Sequence, residues 1–204
     1  MNRLAPIVIW LATALSASAQ TDYAEGVTLS LAQHRAATIS DVKYHLTFVI
    51  PEDTRADINA TVPLAFCLDA PREVALDFRE DSTKVHSVTY SKNGKPVSHC
   101  FVNDHIVIPK RCMRKGTNSI TLAFTAGNQS LNRNDDYMYT LFVPDRAHTC
   151  FPCFDQPDLK GTFALTLDIP DSWTAVANEP LHELPPSAKG RHTLTSDNGK
   201  QSAA

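Results

Sequence analysis

No long stretch of this chain of 204 residues places apolar side chains at the spacing of a helix face, which excludes a helical bundle. An excess of charge of one sign is missing too. The net charge is −3 at pH 7 and the sequence pI about 6.2, with acidic and basic residues spread from end to end, so no surface is marked out for a nucleic acid or an anionic membrane. An apolar run of ~20 residues, the length that spans a bilayer, is also lacking. Cysteine is odd in number: Cys67, Cys100, Cys112, Cys150 and Cys153 cannot all pair, and their spacing gives no connectivity. One thiol at least stays free or pairs outside the chain.

What is present begins with Arg3, an apolar run over residues 7–15 and Ala17-Ser18-Ala19, the order of a charged region, a hydrophobic core and a small-residue cleavage site. Residues 1–19 are therefore expected to be a signal peptide. The protein is then exported, periplasmic or secreted, and has no membrane contact after cleavage. Residues 20–37 form a mixed N-terminal arm in which Leu29, Leu31 and Ala32 permit a short helix.

From Val42 the pattern changes to alternation, with Val42, Tyr44, Leu46, Phe48 and Ile50 on one face of a half-buried strand. Ile58, Ala60, Val62, Leu64 and Phe66 make a second run, and Val74, Leu76 and Phe78 a third. Pro63 lacks an N–H for a ladder, which predicts an edge or a bulge at that point. Asn93-Gly94 between residues 85–90 and 97–102 predicts a hairpin. Further strands are expected over residues 105–108, 119–124, 137–142 and 162–169, with a short one at 173–176, while residues 126–136 read as a loop. Short strands separated by Gly, Pro and Asn indicate an all-β fold, a saddle-like or sandwich arrangement of mostly antiparallel strands over residues 38–190. Residues 191–204 are polar and are expected to be a frayed or truncated tail.

The stretch over residues 140–163 carries the chemistry. Pro144-Asp145 and Asp155-Gln156-Pro157-Asp158 are rigid turn sequences set between apolar anchors, so this long loop is expected to hold one shape. Phe151-Pro152-Cys153-Phe154-Asp155-Gln156-Pro157-Asp158-Leu159-Lys160 resembles the signature of the N-terminal domain of the aminopeptidase N family of zinc metallopeptidases. The resemblance implies structural roles for Phe151, Pro152, Cys153, Phe154, Asp155, Pro157 and Lys160. It implies a saddle-shaped β-domain that covers a catalytic domain, with zinc in the intact family enzyme and peptides as substrates. In many members a glutamate ten residues before the motif cysteine helps anchor the substrate's N-terminal amine. That position is Val143 here, whose side chain offers no acceptor, so Asp145 or a nearby backbone carbonyl is the substitute. Asp145-Arg146 also reads simply as a local ion pair closing a turn, and Asp155 and Asp158 as turn caps.

A zinc peptidase needs two histidines on one helical face with a glutamate between them. His182-Glu183-Leu184-Pro185-Pro186 begins in that way, but Pro186 stands where the second histidine belongs and two prolines prevent the helix. The Gly-x-Met-Glu-Asn motif with which the family grips a free amine is likewise absent. No cofactor is expected in this chain. Cys150-Phe151-Pro152-Cys153 permits a packed Cys153, a disulfide through Cys150, or redox or metal work. The leading expectation is a non-catalytic N-terminal β-domain, a fragment or the product of an early stop, whose partner is the missing catalytic domain of a parent enzyme. The rival expectations are a stand-alone exported binding or scaffolding module without peptidase activity and an exported redox protein.

Overall fold

The computed structural model describes residues 23–196 and the backbone of residues 202–203, so the expected signal segment over residues 1–19 lies outside it. Among the described residues no helix is long and apolar enough to cross a membrane. The fold is all-β apart from α1 (Leu29–Thr38), whose N-terminus is capped by Thr28 Oγ1 accepting from the Leu31 N–H.

The alternating runs become β1 (Ile39–Val49), β2 (Asn59–Leu68) and β3 (Val74–Asp77). They are followed by β4 (Val85–Tyr90), β5 (Cys100–Val102), β6 (His105–Ile108), β7 (Gly116–Thr125), β8 (Leu131–Arg133) and β9 (Met138–Thr140). The chain closes with β10 (Gly161–Pro170), β11 (His182–Leu184), β12 (Arg191–Thr195) and β13 (Ser202–Ala203). One large sheet runs in the order β11-β12-β10-β1-β2-β7-β4, with β13 also against β10. Its pairs are antiparallel except β1 with β10, which run parallel from Val42 beside Gly161 to Val49 beside Asp168. A small sheet, β3-β6-β5, lies over it, and β8 pairs with β9 alone.

Period-two alternation explains how the layers stack. In β3 and β6, Val74, Leu76, Ile106 and Ile108 face the main core with Val62, Leu64, Phe66, Ile120, Leu122 and Phe124 of the large sheet. Their neighbours Ala75 and Val107 form a second cluster with Leu31 of α1. The small sheet is thus covered on both faces, by α1 and by the large sheet.

Five expectations are corrected. Pro63 sits in an interior strand, opposite Thr121 of β7; on the other side the β1 register passes from Tyr44 with Leu64 to Thr47 with Thr61, and the irregularity in this pair lies between Ser40 and Lys43. The Asn93-Gly94 turn does reverse the chain, with Gly94 at φ +67, but the returning arm holds β4 only through Lys95, Pro96 and Val97 before β5 joins the small sheet. Residues 173–176 form no strand, because Trp173 N–H closes a turn on Pro170. The tail expected to fray from Arg191 begins with β12, where Arg191 donates to Asp168 Oδ1 at 2.6 Å and to the carbonyls of Ile50 and Asp168. Residues 126–136 also hold more structure than a loop, since β8 lies within them and Arg133 donates to the carbonyls of Pro51, Asp53 and Ala56 at 2.8 Å.

Phe66 has no solvent exposure and meets Phe154 edge to face at 5.7 Å, so it joins the sheet core to the 151–160 segment. Phe66→Ala is expected to lower the unfolding free energy by about 3–5 kcal/mol in urea titrations followed by circular dichroism.

Candidate functional site

The loop between β9 and β10 contains one short 3-10 turn, Ala147–Thr149, and no other helix. It is held from below by ring packing. Phe154 lies against Phe66, and Phe151 meets Phe142 at 5.5 Å and Phe163 at 6.5 Å, both edge to face. Tyr44 of β1 stacks on Phe163 at 4.5 Å, and its hydroxyl accepts from the Phe154 N–H at 3.0 Å. Burial and neighbouring Cys153 push the Tyr44 phenol well above its ordinary pKa, so it stays a neutral spacer between strand and loop. Gly161, where the loop enters β10, packs so closely on Tyr44 that an added Cβ would stand 2.9 Å from the ring.

The decisive polar contact is Asp77 at the end of β3, which is 2% exposed. Its Oδ2 accepts from Arg35 Nη1 at 2.8 Å and from the Asp155 N–H at 2.9 Å. Its Oδ1 accepts from Arg35 Nη2 at 2.6 Å and faces His105 Nδ1 at 2.9 Å. Backbone bonds run both ways between Asp77 and Cys153, at 2.7 and 3.1 Å. Arg35, 1% exposed, also donates to the Ala75 carbonyl and lies over the Phe154 ring at 5.5 Å. Burial alone would raise the Asp77 carboxyl. The His105 and Arg35 hydrogen bonds, the Arg35 charge and the Asp155 N–H outweigh it and hold it below the ordinary carboxylate range.

Within the motif, Phe151, Pro152, Cys153 and Phe154 are buried, while Pro157 and Lys160 are exposed. Gln156 Nε2 donates to the Ala32 carbonyl of α1 and to Asp158 Oδ1. Asp155 does not cap its own turn as expected. Its Oδ2 reaches back to accept from the His148 N–H at 3.0 Å and lies 2.6 Å from His148 Nδ1. Asp145 does not pair with Arg146 either, for Arg146 Nη2 donates to the Gln129 carbonyl, and Asp145 Oδ1 stands 3.7 Å from His148 Nδ1. Val143 is 73% exposed, preceding Pro144 through a cis bond, and Tyr137, Tyr139 and Leu141 are exposed beside it in sequence. The two residues expected to face a substrate amine thus lie on an exposed turn, and the buried contacts described above fix the motif that follows it.

All five cysteines are free. Cys153 packs in the main core, burial pushes its thiol well above the ordinary value, and burial with nearby Glu80 pushes Cys150 up to about 12. Neither thiol yields a thiolate near neutral pH, which removes the basis for redox work. His182-Glu183-Leu184 is an exposed edge strand, not the helix a zinc site needs. Asp145, His148 and Asp155 bring three donor atoms within 4.8 Å of one another. They do not fit zinc, because ligands about 2.0–2.1 Å from a tetrahedral ion sit roughly 3.3 Å apart, whereas His148 Nδ1 and Asp155 Oδ2 are 2.6 Å apart in a hydrogen bond.

Residues 115–198 match the Peptidase M1 N-terminal domain. Over that stretch the chain is similar to an N-terminal domain of the M1 aminopeptidase family. It is 34% identical over 110 residues to Aminopeptidase N of Streptomyces lividans, covering 48% of this chain and 12% of that protein. It is 46% identical over 44 residues to Aminopeptidase M1 of Arabidopsis thaliana, covering 22% of this chain and 5% of the plant protein. Among solved structures, an M1 zinc metallopeptidase from Deinococcus radiodurans shares the fold with a TM-score of 0.60 at 20% identity, over 78% of this chain and 38% of that one. A two-domain M1 zinc metallopeptidase bound to L-arginine aligns with a TM-score of 0.63 at 19% identity, over the same shares. The M1-type domain described here thus spans a small part of the curated relatives and under two fifths of the solved chains.

Arg35 and Asp77 were not singled out by the sequence, and Tyr44 was read only as one of the residues on the buried face of a strand. Asp77 fell on the face opposite Val74, Leu76 and Phe78, which reads as solvent until α1 is seen to cover it; Arg35 sat in a segment with no clear period. Arg35→Met leaves the Asp77 carboxylate buried without its cation and is expected to cost about 3–5 kcal/mol in equilibrium unfolding. Because the folded Asp77 pKa is lowered, its contribution is present above the unfolded carboxylate value and is lost as the pH falls through the folded one. The acid limb of the stability curve is therefore expected to flatten in an Asp77→Asn variant.

Proposed function

We propose that this chain is the non-catalytic N-terminal β-domain of an exported zinc aminopeptidase that removes N-terminal residues from peptides. The single observation that carries the proposal is the clamp from Asp77 to the Phe151-Pro152-Cys153-Phe154-Asp155 segment, which fixes the motif that follows an exposed turn at Val143 and Asp145. In the intact parent this turn forms part of the wall of the substrate cavity. Tyr137, Tyr139, Leu141 and Val143, exposed on and beside it, suit a face covered by the catalytic domain. The zinc and its general base belong to that domain, and the contribution of this one is shape, exclusion of bulky substrates, and an acceptor at Asp145 for a substrate ammonium.

Three measurements test the proposal. The purified chain is expected to show no chelator-sensitive hydrolysis of aminoacyl-arylamides, and such activity would overturn the assignment of the chemistry to another domain. A His-Glu-x-x-His encoded beyond Ala204, in frame or after a frameshift, supports a parent enzyme, whereas a clean stop followed by unrelated sequence favours a stand-alone module. Mass spectrometry of exported protein is expected to find Gln20 as the first residue.

A further inference from the structure

His148 joins three segments that are distant in sequence or shape. Its carbonyl accepts from the Arg79 N–H at 2.9 Å just beyond β3, and its N–H donates to Asp155 Oδ2 in the motif. Its ring lies between Asp155, at 2.6 Å, and Asp145 in the exposed turn, at 3.7 Å. The side chain is 6% exposed, and its ring joins the Asp145 carboxylate to the motif beside the backbone bonds from Arg146 N–H to the Phe142 carbonyl and from Phe151 N–H to the Ala147 carbonyl. We propose that His148 is a protonation-dependent latch that sets the position of the Val143-Pro144-Asp145 turn.

The charges that face the ring decide how it behaves. Asp155 and Asp145 lie against it, and Asp77 of β3 acts from further away. The nearby cations are engaged elsewhere: Arg35 with Asp77, Arg79 with Asp104 at 3.7 Å, and Arg146 with the Gln129 carbonyl. An imidazolium between two carboxylates holds the turn against the motif. Both carboxylates face Nδ1, which carries at most one proton in either state, so what the neutral ring loses is the positive charge, and the two acidic groups are then left without a cation beside them. Burial lowers the His148 pKa, but the hydrogen bond and charge of Asp155 and the charges of Asp145 and Asp77 prevail and raise it overall. The latch is therefore closed while the pH is below the folded histidine value, which lies above the ordinary one, and it opens as the pH rises through it. That the turn matters for substrates rests on the function proposed above; the latch is read on the turn itself, so the two can fail separately.

The test uses the full chain. Hydrogen–deuterium exchange over residues 141–150, corrected for intrinsic exchange, is compared between about pH 5.5 and about pH 9, alongside a histidine NMR titration of His148. The expected result is a rise in uptake of roughly fivefold or more that follows the His148 midpoint, with residues 60–68 unchanged. His148→Gln is expected to show the high uptake at both pH values. Asp145→Asn, at an exposed position that folding does not require, is expected to move the His148 midpoint and the uptake midpoint down together. Uptake that does not change with pH, or that changes without following the His148 midpoint in the wild type and Asp145→Asn, would overturn the latch.

Discussion

The carboxylate of Asp77 is the constraint on which the rest of the structure depends. A buried anion is tolerated only when its oxygens are fully engaged, and these two oxygens are engaged by α1 through Arg35, by β6 through His105 and by the motif through the Asp155 N–H. Each partner arrives from a different layer. Satisfying one charge therefore fixes the helix, the small sheet and the loop relative to one another, and the aromatic packing of Phe154 on Phe66 and of Tyr44 on Phe163 can then close beneath them.

That arrangement explains why a loop of about twenty residues holds its shape with one short 3-10 turn. Its backbone groups are met from outside, by Tyr44 Oη, Asp77 and the Ser130 hydroxyl, and by its own Asp155. Gly127 lets the preceding segment approach so closely that an added Cβ would collide with the Thr149 carbonyl and Glu80. The loop is consequently rigid where it meets the core and exposed at Val143 and Asp145, a division that suits a surface made to meet something else.

Histidine at position 148 gives this rigid frame one titratable joint. It lies where a polar chain runs from exposed Asp145 through His148 and Asp155 to buried Asp77, so a proton gained or lost near the surface is felt next to the clamp. The thiols of Cys150 and Cys153, by contrast, are held protonated by burial and act only as packing.

Much of the sheet core was determined locally, because the period of two that makes Ile58, Ala60, Val62, Leu64 and Phe66 one face is a property of the strand itself. The turn sequences and the Phe151-Pro152-Cys153-Phe154-Asp155 signature were legible for the same reason. Three things were decided only in three dimensions. A strand covered on both faces hides Asp77, whereas alternation assigns that side to solvent. β12 is polar in sequence but is ordered by pairing with β10 and by Arg191 on Asp168. The partners of Asp145 and Asp155 were set by the fold of the loop, which brings His148 between them, and no spacing rule encodes that meeting because it depends on where the chain returns after its turn.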